Sequence, residues 1–184
     1  MAHGFDVVKD IFRVGLTDAA GTLLGEARLP AVYVTVTRPA DTTAYAANDA
    51  IADATSAATL ASAALGRTVT GTGLIVGLTL QNSNAAATHR VELDLYNASI
   101  TAKNDNAEAT RLAADKLKYI GTITLPALAK KTTNSDQTEA SDFTIRVPYQ
   151  CAASGLIYFV VRTLDAHTPA SGTTYTFGFH VAQN

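Results

Sequence analysis

Thr174-Tyr175-Thr176-Phe177-Gly178-Phe179-His180-Val181 decides the fold class. Tyr175, Phe177, Phe179 and Val181 fall on one parity, and Thr174, Thr176, Gly178 and His180 fall on the other. Successive side chains of a strand point to opposite faces, so this rhythm builds a sheet with one buried face. A helix, whose faces recur every 3.6 residues, is excluded here.

The same period returns upstream. Val91, Leu93 and Leu95 oppose Glu92 and Asp94, and Val32, Val34 and Val36 oppose Tyr33, Thr35 and Thr37. Phe143, Ile145 and Val147 alternate with Thr144 and Arg146 up to Pro148, which predicts a strand there. Leu74, Val76, Leu78 and Leu80 oppose Ile75, Gly77 and Thr79. From Leu156 to Leu164 both parities are apolar, so this strand is expected to be central, or covered on its second side by a partner subunit. Ile120 is out of phase with Ile123 and Leu125 around Gly121, which predicts a β-bulge.

Between these strands, residues 1–30 carry apolar positions (Val7, Ile11, Phe12, Val14, Leu16) broken by Asp18-Ala19-Ala20-Gly21 and Gly25, and read as an N-terminal arm or an extra hairpin. Residues 31–184 read as the β-domain. From Pro39 to Ala64 small residues dominate, and Thr42, Thr43, Thr55 and Thr59 dilute the helix preference of the alanines. A long loop with a short strand or a turn of helix is expected. Asn104-Asp105-Asn106 ahead of Ala107 to Leu117 supplies the best helix start, because an Asn or Asp side chain accepts from the free first-turn amides. Lys130 to Ser141 reads as an exposed polar loop, and Ala166 to Gly172 as a hairpin loop joining the last two strands. Short strands with one short helix in a crossing loop predict an all-β, antiparallel sandwich, wired as a jelly roll or a Greek key.

Composition bounds the function. At 184 residues, one domain buries roughly 70% of its unfolded surface without staples. The surplus in the 47% hydrophobic fraction comes from Ala rather than Leu, and no apolar run approaches the ~20 residues of a membrane span. Charged residues make up 16%, against ~25% for typical domains, which suits a surface packed against other protein. The net charge is −2 and no basic stripe exists, so nucleic acid is not an expected partner, nor is a membrane. The single Cys151 forms no internal disulfide, and the start at Met1-Ala2-His3-Gly4 lacks a signal-peptide pattern, so folding in a cytoplasm is expected.

No catalytic, cofactor or metal site is expected. His3, His89, His167 and His180 are never at ligand spacing with Cys or carboxylates. Asn104-Asp105-Asn106 lacks the alternating oxygens and closing Glu of a calcium loop. Asp49, Asp53, Asp94 and Asp165 are acids that a sandwich glycosidase could use, yet no two are singled out. Ala153-Ser154-Gly155 lacks the first glycine of a nucleophile elbow, Gly71-Thr72-Gly73 lacks the lysine of a phosphate loop, and Asn97-Ala98-Ser99 is a sequon without a secretion signal. Sugar binding by stacked aromatics is the competing reading, but the chain has no Trp, and Tyr175, Phe177 and Phe179 share the core-facing parity.

Arg38-Pro39-Ala40-Asp41-Thr42-Thr43-Ala44-Tyr45-Ala46-Ala47-Asn48-Asp49 forms an ordered set with four later stretches: Gly73-Leu74-Ile75-Val76-Gly77-Leu78, Val91 to Asn97 with Asp105-Asn106-Ala107, Tyr119-Ile120-Gly121, and Gly155-Leu156-Ile157-Tyr158 with Thr168 to Thr176. Together they resemble a family of tailed-bacteriophage virion structural proteins, over roughly residues 32 to 182. The chain departs from the family pattern at Ala50-Ile51-Ala52-Asp53, after the Tyr-x-x-x-Asp segment. The resemblance implies a capsid decoration or cement protein: a small β-rich domain, often a homotrimer, clamping major capsid protein subunits on the outer face of the shell. It implies a place on the virion's capsid surface after assembly in the host bacterial cytoplasm. It brings no catalytic residues. The alternatives are a neck, tail or fibre component, or a carbohydrate-binding β-sandwich module.

Overall fold

The computed structural model describes residues 31–183. The arm or hairpin expected over residues 1–30 lies outside the described residues, as does His3. The described chain forms β1 (Ala31–Thr37), β2 (Ala50–Ile51), β3 (Ala61–Ala63), β4 (Thr72–Asn82), β5 (Val91–Tyr96), β6 (Tyr119–Thr124), β7 (Thr138–Asp142), β8 (Val147–Gln150), β9 (Ile157–Thr163) and β10 (Thr174–Gln183). One sheet runs β1-β10-β4-β7, with β8 also on β4; the other runs β2-β9-β5-β6, with β3 also on β9. Every pairing between these strands is antiparallel.

β2 and β3 both lie along β9, and β7 and β8 both lie along β4, so each pair is one strand interrupted in the middle. The chain then changes sheet at every step except the β5–β6 hairpin. That is jelly-roll wiring, and the chain is an all-β sandwich of this type. Ala166 to Gly172 is therefore a crossover between sheets and not the expected hairpin, because β9 and β10 belong to different sheets.

The core fills the space between the sheets. Tyr175, Phe177, Phe179 and Val181 are all fully buried, as the alternation requires. Phe159 of the facing sheet sits between two of them, with ring centroids 5.7 Å from Phe177 and 5.4 Å from Phe179. Each such ring contributes roughly 1.5–3 kcal/mol through burial, and each edge-on or tilted pair about 0.5–1.5 kcal/mol more.

Three of the next four expectations change and one holds. In β4 the inward residues are Ile75, Leu78 and Leu80, because the register shifts opposite His180/Val181 and inserts Val76. The expected bulge at Ile120 is present: Leu95 pairs with Gly121 while Tyr96 pairs with Tyr119. The strand expected across Phe143–Val147 is instead the break between β7 and β8, where Asp142 Oδ1 accepts from the amide and hydroxyl of Thr144. Lys130 to Ser141 is a loop only up to β7, which buries Thr138 and Ala140.

The helix expected over Ala107–Leu117 is reduced to one 3-10 turn at Ala113–Asp115. Asp105 caps nothing there because both its carboxylate oxygens are taken by Arg38, Tyr45 and the Ala52 amide. Asn106 then takes a left-handed φ of 60°, which no helix start tolerates. This irregular segment, residues 97–118, lies on the outside of the second sheet. Ile100 and Ala109 from it pack on Tyr96 and Val160, with Ala50. β9 is central, and its second apolar face is covered by its own chain.

Candidate functional site

The outer face of the first sheet is covered by no other part of the described chain. Its three principal strands, β1, β10 and β4, contain no Lys, Arg, Asp or Glu. Outward positions are Ala31, Tyr33, Thr35 and Thr37 from β1, then Thr176, Gly178 and His180 from β10, paired across to Gln81, Thr79 and Gly77 of β4. Hydroxyls interlock across it, with Thr35 and Thr176 oxygens 2.8 Å apart. In the β7–β8 edge of the same sheet, Glu139 and Asp142 belong to β7 and Arg146 to the break before β8.

Two aromatic rings lie on this face. Tyr33 is 64% exposed and Phe143 54%. Each rests on a glycine. A Cβ on Gly178 would come within 2.8 Å of the Tyr33 ring, and one on Gly77 would overlap the Phe143 ring. Phe143 also tilts against His180, centroids 5.0 Å apart. The missing side chains at Gly178 and Gly77 leave the room that the Tyr33 and Phe143 rings occupy. Three strands at ~4.8 Å spacing and about seven residues at ~3.3 Å rise give roughly 300 Å² of projected area. A standard interface takes ~800 Å² from each partner, so one copy of this face makes a weak contact on its own.

The residues considered for chemistry are used elsewhere. Asp49 accepts from the Ala46 amide at 2.6 Å and Asp53 from the Thr59 amide at 2.8 Å. Asp94 pairs with Arg111 and Thr122 under the 97–118 segment, and Asp165 pairs with Arg90 at 2.7 Å. The Arg90 guanidinium and amide hold the Asp165 carboxyl at about 2, below the usual range. Each of these acids is thus held by partners of its own. Among the described residues no group of three or more His, Cys, Asp and Glu is placed to hold a metal ion. Cys151 is a buried free thiol whose burial raises its pKa.

His89 and His167, separated in sequence, are brought into contact at one end of the sandwich. His180 stays apart on the outer face. A cleft of about 230 Å³ lies between β1 and the interrupted β2/β3, with Thr35, Thr37, Ser62 and Lys103 in its walls.

Sequence reasoning missed Tyr33 and Phe143 as a pair. The available signal was a glycine on the outward parity of two central strands, Gly178 and Gly77, which marks a place where something lies against the backbone.

No protein-family model and no curated protein matches the chain. Among solved structures it aligns with one of black queen cell virus, at 13% identity, covering 100% of this chain and 82% of that one, with a TM-score of 0.27. It also aligns with an activated particle of KBV at acidic pH, at 14% identity, covering 100% and 79%, with a TM-score of 0.27. Superpositions at this score carry no inference for this chain. Its own wiring and surface define the class: a jelly-roll β-sandwich that presents an uncharged sheet face.

Proposed function

We propose that the chain is a non-enzymatic structural protein of a virus particle, and specifically a capsid decoration or cement protein of a tailed phage. It works by adhesion: the outer face of the first sheet lies on major capsid subunits at the shell surface, in a homotrimer. The uncharged β1-β10-β4 face with Tyr33 and Phe143 on its glycines carries the reading. Interface centres are depleted of charge and enriched in aromatic rings, which is the composition of this face. Its small area is offset when several copies in one oligomer bind a repeating lattice, because avidity multiplies weak contacts. The ordered set of motifs over roughly residues 32 to 182 supports the same role.

A carbohydrate-binding module is the second reading, favoured by one observation: two aromatic rings more than half exposed on one sheet face, a group on which sugars stack. Titration against purified phage heads and against a glycan array separates them. Decoration predicts saturation at a fixed ratio to capsid subunits and no glycan signal. A module for sugars predicts the reverse.

A further inference from the structure

The imidazoles of His89 and His167 stack face to face, with centroids 3.6 Å apart and planes 9° apart. His89 is 5% exposed, and its Nε2 lies 3.1 Å from the hydroxyl of Tyr175, itself fully buried. The other face of His167 lies on the Tyr45 ring, centroids 5.0 Å apart. Four segments meet here: the end of β1 with its loop, residues 83–90 before β5, residues 164–173 after β9, and the start of β10.

The hydrogen bonds fix the protons. His167 Nδ1 is 3.1 Å from the Asp165 carbonyl oxygen, which only accepts, and 3.3 Å from Thr163 Oγ1, whose own hydrogen goes to that carbonyl at 2.7 Å, so Nδ1 carries the hydrogen. Nε2 of His167 is then bare, and it is buried with no partner. A second proton on this ring would have to sit on that atom, beside no acceptor. A second cation would face it 3.6 Å away if His89 were also charged.

The surrounding charges do not relieve this. From the β1 loop, the buried Arg38 guanidinium donates to Tyr45 at 2.6 Å and stacks on its ring, which opposes charge on His167. Arg38 is matched by Asp105 and Asp41. From the β9 side comes Asp165, the one acid that favours an imidazolium, and Arg90 from the β5 side already pairs with it. Tyr175 from β10 is neutral, its acidity suppressed by burial.

We propose that the His89–His167 stack is an acid-sensitive latch: neutral, it pins residues 83–90 and 164–173 to the end of the sandwich; protonated, it releases them. Burial is the leading cause for both rings and pushes His89 down to about 3 and His167 also below its ordinary value. The opened state, with ordinary imidazoles near pH 6.5, therefore binds more protons than the closed one. Closure is favoured fully above that pH and weakens as pH falls toward the folded value. Opening grows up to tenfold per pH unit for each histidine, so about 30-fold at pH 5 from His89 alone.

Hydrogen exchange of the full-length protein, corrected for intrinsic rates, tests this at about pH 7.5 and about pH 5. Opening of residues 83–90 and 164–173 should rise about 30-fold or more, with the β5–β9 ladder unchanged. In His89→Gln/His167→Phe, where Gln keeps an acceptor for Tyr175 and Phe keeps a ring on Tyr45, the rise should vanish. An equal rise in that variant overturns the proposal. Should the variant not fold, NMR titration of the wild-type ring protons decides: both rings must stay neutral until the segments open. Ordinary titration near pH 6.5 with protection unchanged overturns it.

Discussion

Arg38 has no exposed side-chain surface, and neither does Asp105, 3.1 Å away. Tyr45 closes the triangle, accepting from Arg38 Nε at 2.6 Å and donating to Asp105 at 2.5 Å. Burying two charges costs several kcal/mol per ion, and the triangle recovers it only because nearly every donor and lone pair is used. Arg38 Nη1 donates to the Asp41 and Ala170 carbonyls, and Asp105 accepts from the Ala52 amide. One guanidinium thus ties together three loops that the strands do not hold. Arg38→Met leaves the Asp105 carboxylate buried without its counter-charge and should cost about 3–5 kcal/mol, read by urea denaturation. Simultaneous Arg38→Met/Asp105→Leu should recover part of that loss, since no lone charge remains. A loss under 1 kcal/mol for the single variant would show that the triangle does not stabilise the loops.

At the scale of elements, the outer face depends on two glycines. Gly178→Val must displace both the Thr79 hydroxyl, which an added Cβ would meet at 2.5 Å, and the Tyr33 ring, met at 2.8 Å, and should cost about 1–3 kcal/mol as overpacking. Thr176→Val, on the same face and strand, gives up only the hydroxyl bond to Thr35 and should stay within about 1 kcal/mol, so the difference between the two midpoints reports the crowding at Gly178. What could be read from the chain follows from the same logic. Alternation in β10, β5 and β1 exposed the two-faced sheet directly, and Ile120 beside Gly121 announced its bulge. Jelly-roll wiring was one of two options, because strand order depends on pairings between distant segments that no local pattern encodes. The helix after Asp105 failed because a capping residue and a buried ion-pair acceptor look identical in sequence. Glu92 and Asp94 lie on the polar parity yet are buried, since Arg111 and Arg162 arrive from elsewhere to match them. The candidate face was the least legible part. Its mark is missing charge and missing side chains, and Phe143 reaches it only because the chain breaks between β7 and β8.

For the whole molecule, adhesion through an uncharged face has consequences that differ from those of a charged one. Binding to a shell should change less than about twofold between roughly 0.05 and 0.5 M salt, because no exposed ion pair is screened. A steep decline with salt would instead point to the β7–β8 edge, where the charges lie. Tyr33→Glu/Phe143→Glu should still fold, at a cost of about 1–2 kcal/mol for the ring surface that rests on Gly178 and Gly77, since both rings are more than half exposed. Co-sedimentation of the parent and this double variant with purified phage heads, across a concentration series, tests the central claim. The account predicts that the parent saturates at one fixed ratio to capsid subunits and that the double variant stays in the supernatant. A parent that never sediments, or a double variant that binds as well as the parent, would contradict it.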